Sequence, residues 1–384
     1  MRGNITRRGK HSWRLKYEAV ARDRATGKRH IEWVTVRGTR KDAERELARI
    51  ITAIEEGRHV KPHTMTVAEY PDQWLTGHAK HRVSAKTFER YAEIVRKHLI
   101  PALGAHRLAM LAPLHIQAAH AKALTSGRRD GRGGLAKRTV VHHHRVLSEA
   151  LKQAVRWRLL SINPCGLVDP PRPARREMNT IDEAETAALI GAAESSRIGA
   201  PVLLAATTGM RRGEILGLRW SDVDFERRTI SVAQTLEETK TALAFKEPKT
   251  ARSRRMIALP QVAIEALRRH RARQAQERLR VGPAWADLDL VCTDPIGEPI
   301  RPDYLTHAFT KLVARLGLKV RFHDLRHSHL SHLLAAGVHP KVASERAGHT
   351  SVGFTLDVYS HVMPGLQEDA ANRIDAALRQ HLKG

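Results

Sequence analysis

The sequence predicts a mainly α-helical chain with small β-sheets, the α+β fold class, organised as three domains. Residues 66–160 place apolar side chains at helical spacing with few interruptions, which is the pattern of packed amphipathic helices. Residues 13–19 instead alternate apolar and charged side chains, as a half-buried strand does. Short runs at 229–232 and 255–260 predict strands within a third, mixed α/β domain. A chain of 384 residues is long enough to bury a separate core in each domain.

The first predicted domain, residues 1–60, combines a small sheet with one helix. The strand at 13–19 is followed by a second apolar run at 31–36. Thr39 and Asp42 then stand three residues apart, the spacing of a capping box at the start of a helix. We therefore expect a sheet that is backed by the helix following Thr39.

The second predicted domain, residues 61–165, is helical. Apolar faces recur at helical spacing over 67–75, 88–99 and 140–159. A Gly- and Arg-rich stretch at 126–134 predicts a flexible basic loop before the last of these helices.

A proline-rich segment, residues 166–177, separates the helical domain from the third predicted domain, residues 178–384. Pro170, Pro171 and Pro173 interrupt the helical pattern, so we expect a semi-rigid linker. Near the end of the chain, apolar side chains at helical spacing predict a C-terminal helix. They are Ala370, Ile374, Ala377, Leu378 and Leu382.

Positive charge is concentrated in the first half of the chain and indicates a polyanionic partner. The formal net charge is +26. Residues 1–60 carry 16 Lys and Arg against 8 Asp and Glu, and residues 61–177 carry 21 against 8. Such clustering is typical of nucleic-acid-binding proteins, although a solvated basic surface would give the same count. The side chains expected to contact DNA are Arg14, Lys16, Lys28, Arg128, Arg129, Arg132, Arg175 and Arg176.

Metals, disulfides and nucleotide cofactors are not expected. Cys165 and Cys292 are interpreted as small buried residues in a reducing compartment. Consecutive residues on a helix point about 100° apart, so His142, His143 and His144 cannot share a metal and are interpreted as surface histidines. The sequence also lacks a Gly-x-x-x-x-Gly-Lys-Ser/Thr phosphate loop and a carboxylate cluster suited to two metals.

The location expected from the sequence is the bacterial cytoplasm or nucleoid. The N-terminus has basic residues but not the apolar stretch that follows them in a secretory signal. No apolar run approaches the ~20 residues that a membrane-spanning helix needs.

Four short segments in the third domain carry cationic, histidine and tyrosine side chains in a fixed order. The first reads Thr-Gly-Met-Arg-Arg-Gly-Glu at 208–214, and the second reads Pro-Lys-Thr at 248–250. The third reads His-Asp-Leu-Arg-His at 323–327, and the fourth runs from Ala-Gly-His at 347–349 to Tyr359. Planar guanidiniums suit phosphate oxygens, a lysine can donate a proton, and a phenol can act as a nucleophile.

This series resembles the tyrosine recombinases, the phage integrase family. The resemblance implies a site-specific DNA recombinase that works through a 3′-phosphotyrosyl intermediate, integrates or excises a phage or mobile element, and needs no cofactor. It also implies an arm-type DNA-binding domain at 1–60, a helical core-binding domain at 61–165 and a catalytic domain at 178–384. The implied catalytic residues are Arg211, Lys249, His323, Arg326, His349 and Tyr359. Glu214, one helical turn from Arg211, is expected to pair with an arginine and fix its aim.

The same resemblance assigns a role to most of these side chains. Arg211 and Arg326 would clamp the scissile phosphate, and His349 would donate a hydrogen bond to it. Lys249 would protonate the leaving 5′ oxygen, and Tyr359 would attack the phosphorus.

Alternatives to this assignment stay open. Lys246 is a nearby rival for the role of Lys249. His323 and His327 have the i, i+4 spacing of a zinc protease helix, but the residue that follows His323 is aspartate rather than glutamate. Before the glycine of the fourth segment stands Ala347, where the family usually has leucine, so we expect less packing there.

Two other functions compete with recombination. One is a type IB topoisomerase-like enzyme, and the other is a sequence-specific DNA-binding protein that has lost cleavage. Strand transfer between two sites would exclude both. The expected partners are duplex DNA attachment sites and, as in the family, a homotetramer on two duplexes. A need for accessory DNA-bending or directionality factors is left open, and so is packing of the C-terminal helix on its own subunit or a neighbour.

Overall fold

The structure is a computed structural model that describes most of the chain. The described residues are 3–20, 30–56, 59–60, 63–174, 178–247, 254–349, 351–359, 371–372, 374–375 and 377–379. Contacts divide the chain into two compact units, Met1–Arg175 and Arg176–Gly384, and the boundary falls within the predicted linker at 166–177. The α+β fold class is confirmed, because helices predominate and the sheets are small and antiparallel. The finer division of the first unit into two domains stays a prediction.

The N-terminal sheet has three antiparallel strands, one more than the sequence predicted. They are β1 (Asn4–Gly9), β2 (Ser12–Val20) and β3 (His30–Arg37), in that order. Within β1 only Ile5 is even partly buried, so this edge strand lacks the alternating pattern by which strands are recognised. In β2, Leu15 and Tyr17 point into the core as predicted.

One helix, α1 (Arg40–Glu55), packs on this sheet. It begins as predicted, because the hydroxyl of Thr39 accepts the Asp42 amide at 3.2 Å and the Asp42 carboxylate accepts the Thr39 amide at 2.9 Å. Two buried side chains of α1, Ala43 and Ile50, belong to the same small core as the inward residues of β2.

The remainder of the first unit is mainly helical, as predicted. Its α-helices are α2 (Glu69–Trp74), α3 (Lys80–Arg82), α4 (Ala85–Ile94), α5 (Ile100–Leu103), α6 (Pro113–Ser126) and α7 (Lys137–Arg156). The π-helical turns Leu75–Ala79 and Val95–Leu99 join α2 to α3 and α4 to α5. Tyr70 in α2 donates a hydrogen bond to the carbonyl of Ala150 in α7 at 2.6 Å, which ties the first helix of the bundle to the last.

One expectation for this bundle was wrong, because the histidine triplet is not wholly at the surface. His143 is 5% exposed, and its ring centroid lies 4.4 Å from that of His98. It follows Val140 and precedes Leu147 at helical spacing, so α7 turns it toward the core. Burial is the main cause that lowers the pKa of His143 to about 4.

The second unit contains eight further described α-helices. They are α8 (Glu183–Ala193), α9 (Gly199–Thr208), α10 (Arg212–Leu216), α11 (Gln261–Val281), α12 (Pro302–Arg315), α13 (Asp324–Ala335), α14 (Pro340–Ala347) and α15 (Val352–Tyr359). Most side chains of α9 are buried, and it packs against α8, α11 and α13 at the centre of the unit.

Short strands flank this helical core. They are β4 (Val223–Asp224), β5 (Thr229–Val232), β6 (Thr235–Glu238), β7 (Leu243–Lys246) and β8 (Arg255–Ala258). The two predicted strands correspond to β5 and β8, which pair with Thr229 opposite Ala258. The hairpin of β6 and β7 was not predicted, because most of its residues are only partly buried and neither strand shows a clear alternation of apolar and polar side chains.

Cys165 and Cys292 are both buried, as predicted. The described residues between 371 and 379 are helical, with Ile374 and Leu378 more than half exposed. Across the described part of the chain, no helix has both the length and the apolar character that crossing a membrane requires.

Candidate active site

Two glycines in the left-handed conformation end helices beside the predicted site residues. α9 ends at Gly209, with φ +66°, and α14 ends at Gly348, with φ +67°. A Cβ on Gly209 would lie 2.8 Å from the ring of His329, and one on Gly348 would lie 3.0 Å from the guanidinium of Arg255. Both the backbone and the available space therefore favour glycine.

Arg211 is held in place from two sides. Its backbone N–H and its Nη1 donate to Glu214 at 2.8 and 2.7 Å, and its Nη2 donates to the carbonyl of Gly348 at 2.9 Å. The side chain is still 40% exposed, so the guanidinium is fixed but accessible to a ligand. The contact that the sequence led us to expect between Glu214 and an arginine is present.

Glu214 has a second cationic partner, Arg255, which the sequence interpretation missed. Arg255 donates from Nη2 and Nη1 to the carboxylate at 2.9 and 3.2 Å, and from Nε to the carbonyl of Arg346 at 2.8 Å. Burial raises the pKa of Glu214, but the hydrogen bonds and charge of Arg255, aided by Arg211, outweigh it and lower the pKa overall. The available signal was the basic run at 252–255, whose last residue begins a predicted strand.

Arg326 places a second guanidinium near that of Arg211. It is 3% exposed, and its Nη1 donates to the carbonyl of Gly209 at 2.6 Å. Burial, and next the charge of Arg211, lowers the pKa of Arg326 to about 9. Two cations that raise each other's energy would both be stabilised by an anion between them. The arrangement is therefore suited to a phosphate, which guanidiniums bind through paired hydrogen bonds.

His323 and His349 add neutral imidazoles to the same region. Nδ1 of His349 lies 2.8 Å from Oγ1 of Thr355. Burial, and next the charge of Arg326, lowers the pKa of both histidines, and that of His349 falls to about 3. A neutral imidazole can donate one hydrogen bond to a phosphate oxygen and accept one elsewhere.

Tyr359, the predicted nucleophile, is docked against His327. The tyrosine is 1% exposed, and its hydroxyl oxygen lies 2.5 Å from Nδ1 of His327. Burial raises the pKa of Tyr359, and the charge of Arg326 opposes that shift. The contact with His327 was missed, because that histidine was considered only as a metal ligand. Its place directly after Arg326, and one helical turn beyond His323, was the available signal.

The geometry does not favour a zinc site at His323 and His327. Nδ1 of His327 already faces the tyrosine hydroxyl. The Asp324 carboxylate accepts three hydrogen bonds from Arg321, one from its backbone N–H at 2.8 Å and two from its guanidinium at 3.0 and 2.6 Å. Among the described residues, no group of three or more His, Cys, Asp or Glu is arranged to hold a metal ion.

The predicted general acid, Lys249, lies outside the described residues, which stop at 247 and resume at 254. Its rival Lys246 is the last residue of β7 and forms an ion pair with Glu237 on the facing strand. The amine of Lys246 is therefore engaged within the hairpin. Assignment of the acid to Lys249 stays a prediction.

The residues predicted to contact DNA are spread over the first unit and the linker. Lys16, Arg129 and Arg132 are exposed, and Arg14 is partly buried in β2. Arg128 is half exposed and forms an ion pair with Asp130 at 2.6 Å. Three further predicted contacts, Lys28, Arg175 and Arg176, lie outside the described residues.

Comparison with known proteins identifies the family. The sequence profile of the Phage integrase family matches residues 179–365, and that of the Phage integrase N-terminal SAM-like domain matches residues 66–124. The "Tyrosine recombinase XerC-like" protein of Caldanaerobacter subterraneus subsp. tengcongensis is 28% identical over 357 residues, which cover 88% of this chain and 90% of that protein. The chain belongs to the phage integrase family of tyrosine recombinases. This tyrosine recombinase is therefore a DNA strand-transferring enzyme, a site-specific recombinase of the kind that integrates or excises mobile elements.

Two solved structures have a fold similar to that of this recombinase. The Tn1549 transposon integrase, solved with a circular intermediate DNA, has a TM-score of 0.66 at 18% identity and covers 81% of this chain and 99% of its own. A lambda integrase tetramer bound to a Holliday junction has a TM-score of 0.53 at 18% identity and covers 91% and 96%. At 18% sequence identity, these comparisons support a shared fold.

Proposed function

We propose that this recombinase cuts duplex DNA at attachment sites with Tyr359 as the nucleophile and Arg211, Arg326, His323, His349 and Lys249 as its catalytic partners. The observation that carries the proposal is a buried tyrosine that interacts electrostatically with Arg326, the arginine whose charge in turn interacts with that of Arg211. Arg211 is anchored to the carbonyl of Gly348, on the segment that leads to the tyrosine helix α15. This contact links the arginine that we assign to phosphate binding with the segment that precedes the nucleophile.

The proposed reaction is a transesterification. The phenol oxygen of Tyr359 attacks the phosphorus, a 3′-phosphotyrosyl bond forms, and the bond to the 5′ oxygen breaks. Arg211 and Arg326 stabilise the charge on the non-bridging oxygens, and Lys249 gives the leaving oxygen its proton. Attack by the 5′-hydroxyl of another strand reverses these steps, so the bond energy is conserved and no nucleotide cofactor is required.

We further propose that four copies of the chain act on two DNA duplexes in the bacterial cytoplasm. Ile374 and Leu378 support an assembly of this kind, because they expose apolar surface on a short helical stretch near the end of the chain. The excess of basic residues in the first unit supports contact with the phosphate backbone of DNA. In this proposal residues 1–60 bind arm-type sites and residues 61–165 bind the core site.

The test of the proposed function is strand transfer between two DNA molecules. Purified protein is incubated with a supercoiled plasmid that carries one end-joined element junction and a labelled fragment that carries the target site, with and without a host-cell extract as a source of bending factors. We expect joined products whose formation requires both sites. Relaxation of the plasmid regardless of site would indicate a topoisomerase, and tight binding without any cleavage would indicate a DNA-binding protein.

A further inference from the structure

His327 contacts the reacting atom of the proposed mechanism, yet the mechanism gives it no role. We propose that His327 receives the proton of Tyr359 during DNA cleavage and returns it when the strand is rejoined. This inference rests on the proposed function, because it assigns a proton acceptor to the same tyrosine.

The surroundings of the phenol, rather than the contact distance, indicate which group donates. A phenol that is 1% exposed keeps its proton at neutral pH and needs an acceptor for it. Nδ1 of His327 stands 2.5 Å from the phenol oxygen, and within the described residues no other side chain lies at hydrogen-bond distance from that oxygen. Tyr359 therefore donates and His327 accepts, with the imidazole proton on Nε2.

The surroundings keep His327 in the form that can accept a proton. Burial, and next the charge of His323, lowers the pKa of His327 to about 4. Among the described residues, the groups that face it include His323 at the N-terminal cap of its own helix and Asp324 and Arg326 within that helix. The others are Arg321 before the helix, His349 after α14 and Tyr359 on α15. Most of these groups are cationic or neutral, and only Asp324 favours protonation. A bound phosphate would add negative charge, raise the pKa and make His327 a stronger base as the reaction starts.

The proton balance of the full cycle closes with two side chains. In cleavage the O–H bond of Tyr359 breaks, its proton passes to Nδ1 of His327, the phenol oxygen bonds to phosphorus, and the leaving 5′ oxygen takes a proton from Lys249. In rejoining, the attacking 5′-hydroxyl gives its proton to the neutral amine of Lys249. The phenolate that leaves takes its proton back from the imidazolium of His327.

Other histidines in the region are less suited to this role. His323 lies edge-on to His327, with ring centroids 5.2 Å apart, and within the described residues it forms no hydrogen bond with the tyrosine hydroxyl. Nδ1 of His349 faces Thr355 at 2.8 Å. His327 is thus the group in direct contact with the oxygen that must lose its proton.

The experiment compares His327→Ala, His327→Asn and a control, His307→Asn, in the full-length protein. His307 is an exposed residue of α12 whose Nδ1 lies 2.8 Å from the carbonyl oxygen of Asp303 on the same helix. Single-turnover formation of the covalent adduct is measured on nicked attachment-site DNA from pH 4.5 to 8. Each variant is also tested for DNA binding and for thermal unfolding, so that misfolding is detected.

We expect His327→Ala to slow adduct formation by about 100-fold or more, in the range of lost general-base catalysis. The amide of His327→Asn can occupy the position of Nδ1 but cannot take up a proton, so we expect partial recovery of the rate without the decline that wild type shows toward acid pH. His307→Asn should stay within about twofold of wild type.

Two results would overturn the proton role while leaving the proposed function intact. One is a folded His327→Ala variant that cleaves within about threefold of the wild-type rate. The other is a His327→Asn variant with the full wild-type rate and the same pH profile, which would reduce His327 to a positioning residue. If wild type itself forms no adduct on DNA that it binds, the proposed function fails and this inference fails with it.

Discussion

The guanidinium of Arg255 and the carboxylate of Glu214 form a two-point ion pair, with N–O distances of 2.9 and 3.2 Å and side-chain exposures of 7% and 6%. This pair joins the first residue of β8 to the helix α10 that follows Arg211. The same carboxylate binds Arg211 at 2.7 Å. The small sheet therefore helps to aim the arginine that we assign to the phosphate.

We expect Glu214→Gln to destabilise the protein, because it leaves the buried charge of Arg255 uncompensated. The cost at pH 7 should be about 3 kcal/mol in the free energy of unfolding. The pKa of Glu214 is lowered by folding, so its contribution is present above the unfolded value of about 4.3 and is lost as the pH falls through the folded value. Urea unfolding at pH 7 and at decreasing pH should show the gap between wild type and variant closing. A gap that stays constant, or a similar loss for the exposed control Glu226→Gln, would contradict this account.

Gly209→Ala should be more damaging than an alanine at another left-handed glycine. Gly317 has φ +70° and open space where a Cβ would stand, whereas a Cβ on Gly209 would lie 2.8 Å from the ring of His329. We expect Gly317→Ala to cost about 1 kcal/mol for the backbone alone. Gly209→Ala should exceed it by at least about 1 kcal/mol, because the ring must also move. Equal melting temperatures for the two variants would show that the contact with His329 carries no cost.

The elements of this fold that could be predicted from sequence are those with a repeated pattern. The helix after Thr39 and the strands at 229–232 and 255–260 each have a periodic apolar face or a capping pair, and the structure contains them. β1 has neither a periodic apolar face nor a capping pair, because it is an edge strand in which only Ile5 is partly buried. The burial of His143 was missed for a related reason, since polar side chains are assigned to the surface unless their register on a helix is followed.

The residues of the candidate site also differ in whether a local sequence pattern reveals them. Motifs that are local in sequence predicted four of the candidate site residues, Arg211, Glu214, Arg326 and Tyr359. The contacts of Arg255 with Glu214 and of His327 with Tyr359 span 41 and 32 residues, and a single sequence gives no direct signal for contacts between distant segments. Only the three-dimensional structure places those pairs together.

Two adjacent arginines offer a matched test of phosphate binding. Arg211 is partly exposed and bound to Glu214, whereas Arg212 points toward α12 and donates to the carbonyl of Pro302 at 3.0 Å. We expect Arg211→Lys to slow cleavage by about 100-fold, because lysine cannot reproduce the paired hydrogen bonds of a guanidinium. Arg212→Lys should alter stability more than the rate of cleavage by the folded protein. Rate measurements at saturating DNA would contradict the assignment if the two variants were slowed equally.

The general acid can be assigned with a modified substrate. Replacing the bridging 5′ oxygen at the scissile phosphate by sulfur gives a leaving group that needs no proton, because a thiolate is far more stable than an alkoxide. We expect Lys249→Ala to cleave ordinary DNA at least about 100-fold more slowly than wild type and to regain most of that loss on the sulfur-substituted DNA. Lys246→Ala, which breaks the ion pair with Glu237, should show no such difference between the two substrates. The opposite pattern would assign the acid to Lys246.

Covalent trapping is a direct test of Tyr359 as the nucleophile. Wild-type protein and Tyr359→Phe are incubated with nicked attachment-site DNA, and the products are denatured in SDS before electrophoresis. We expect a protein–DNA adduct with wild type, linked through Tyr359 when the attached peptide is mapped by mass spectrometry, and none with the variant despite equal DNA binding. An adduct that persists in Tyr359→Phe would show that another residue is the nucleophile.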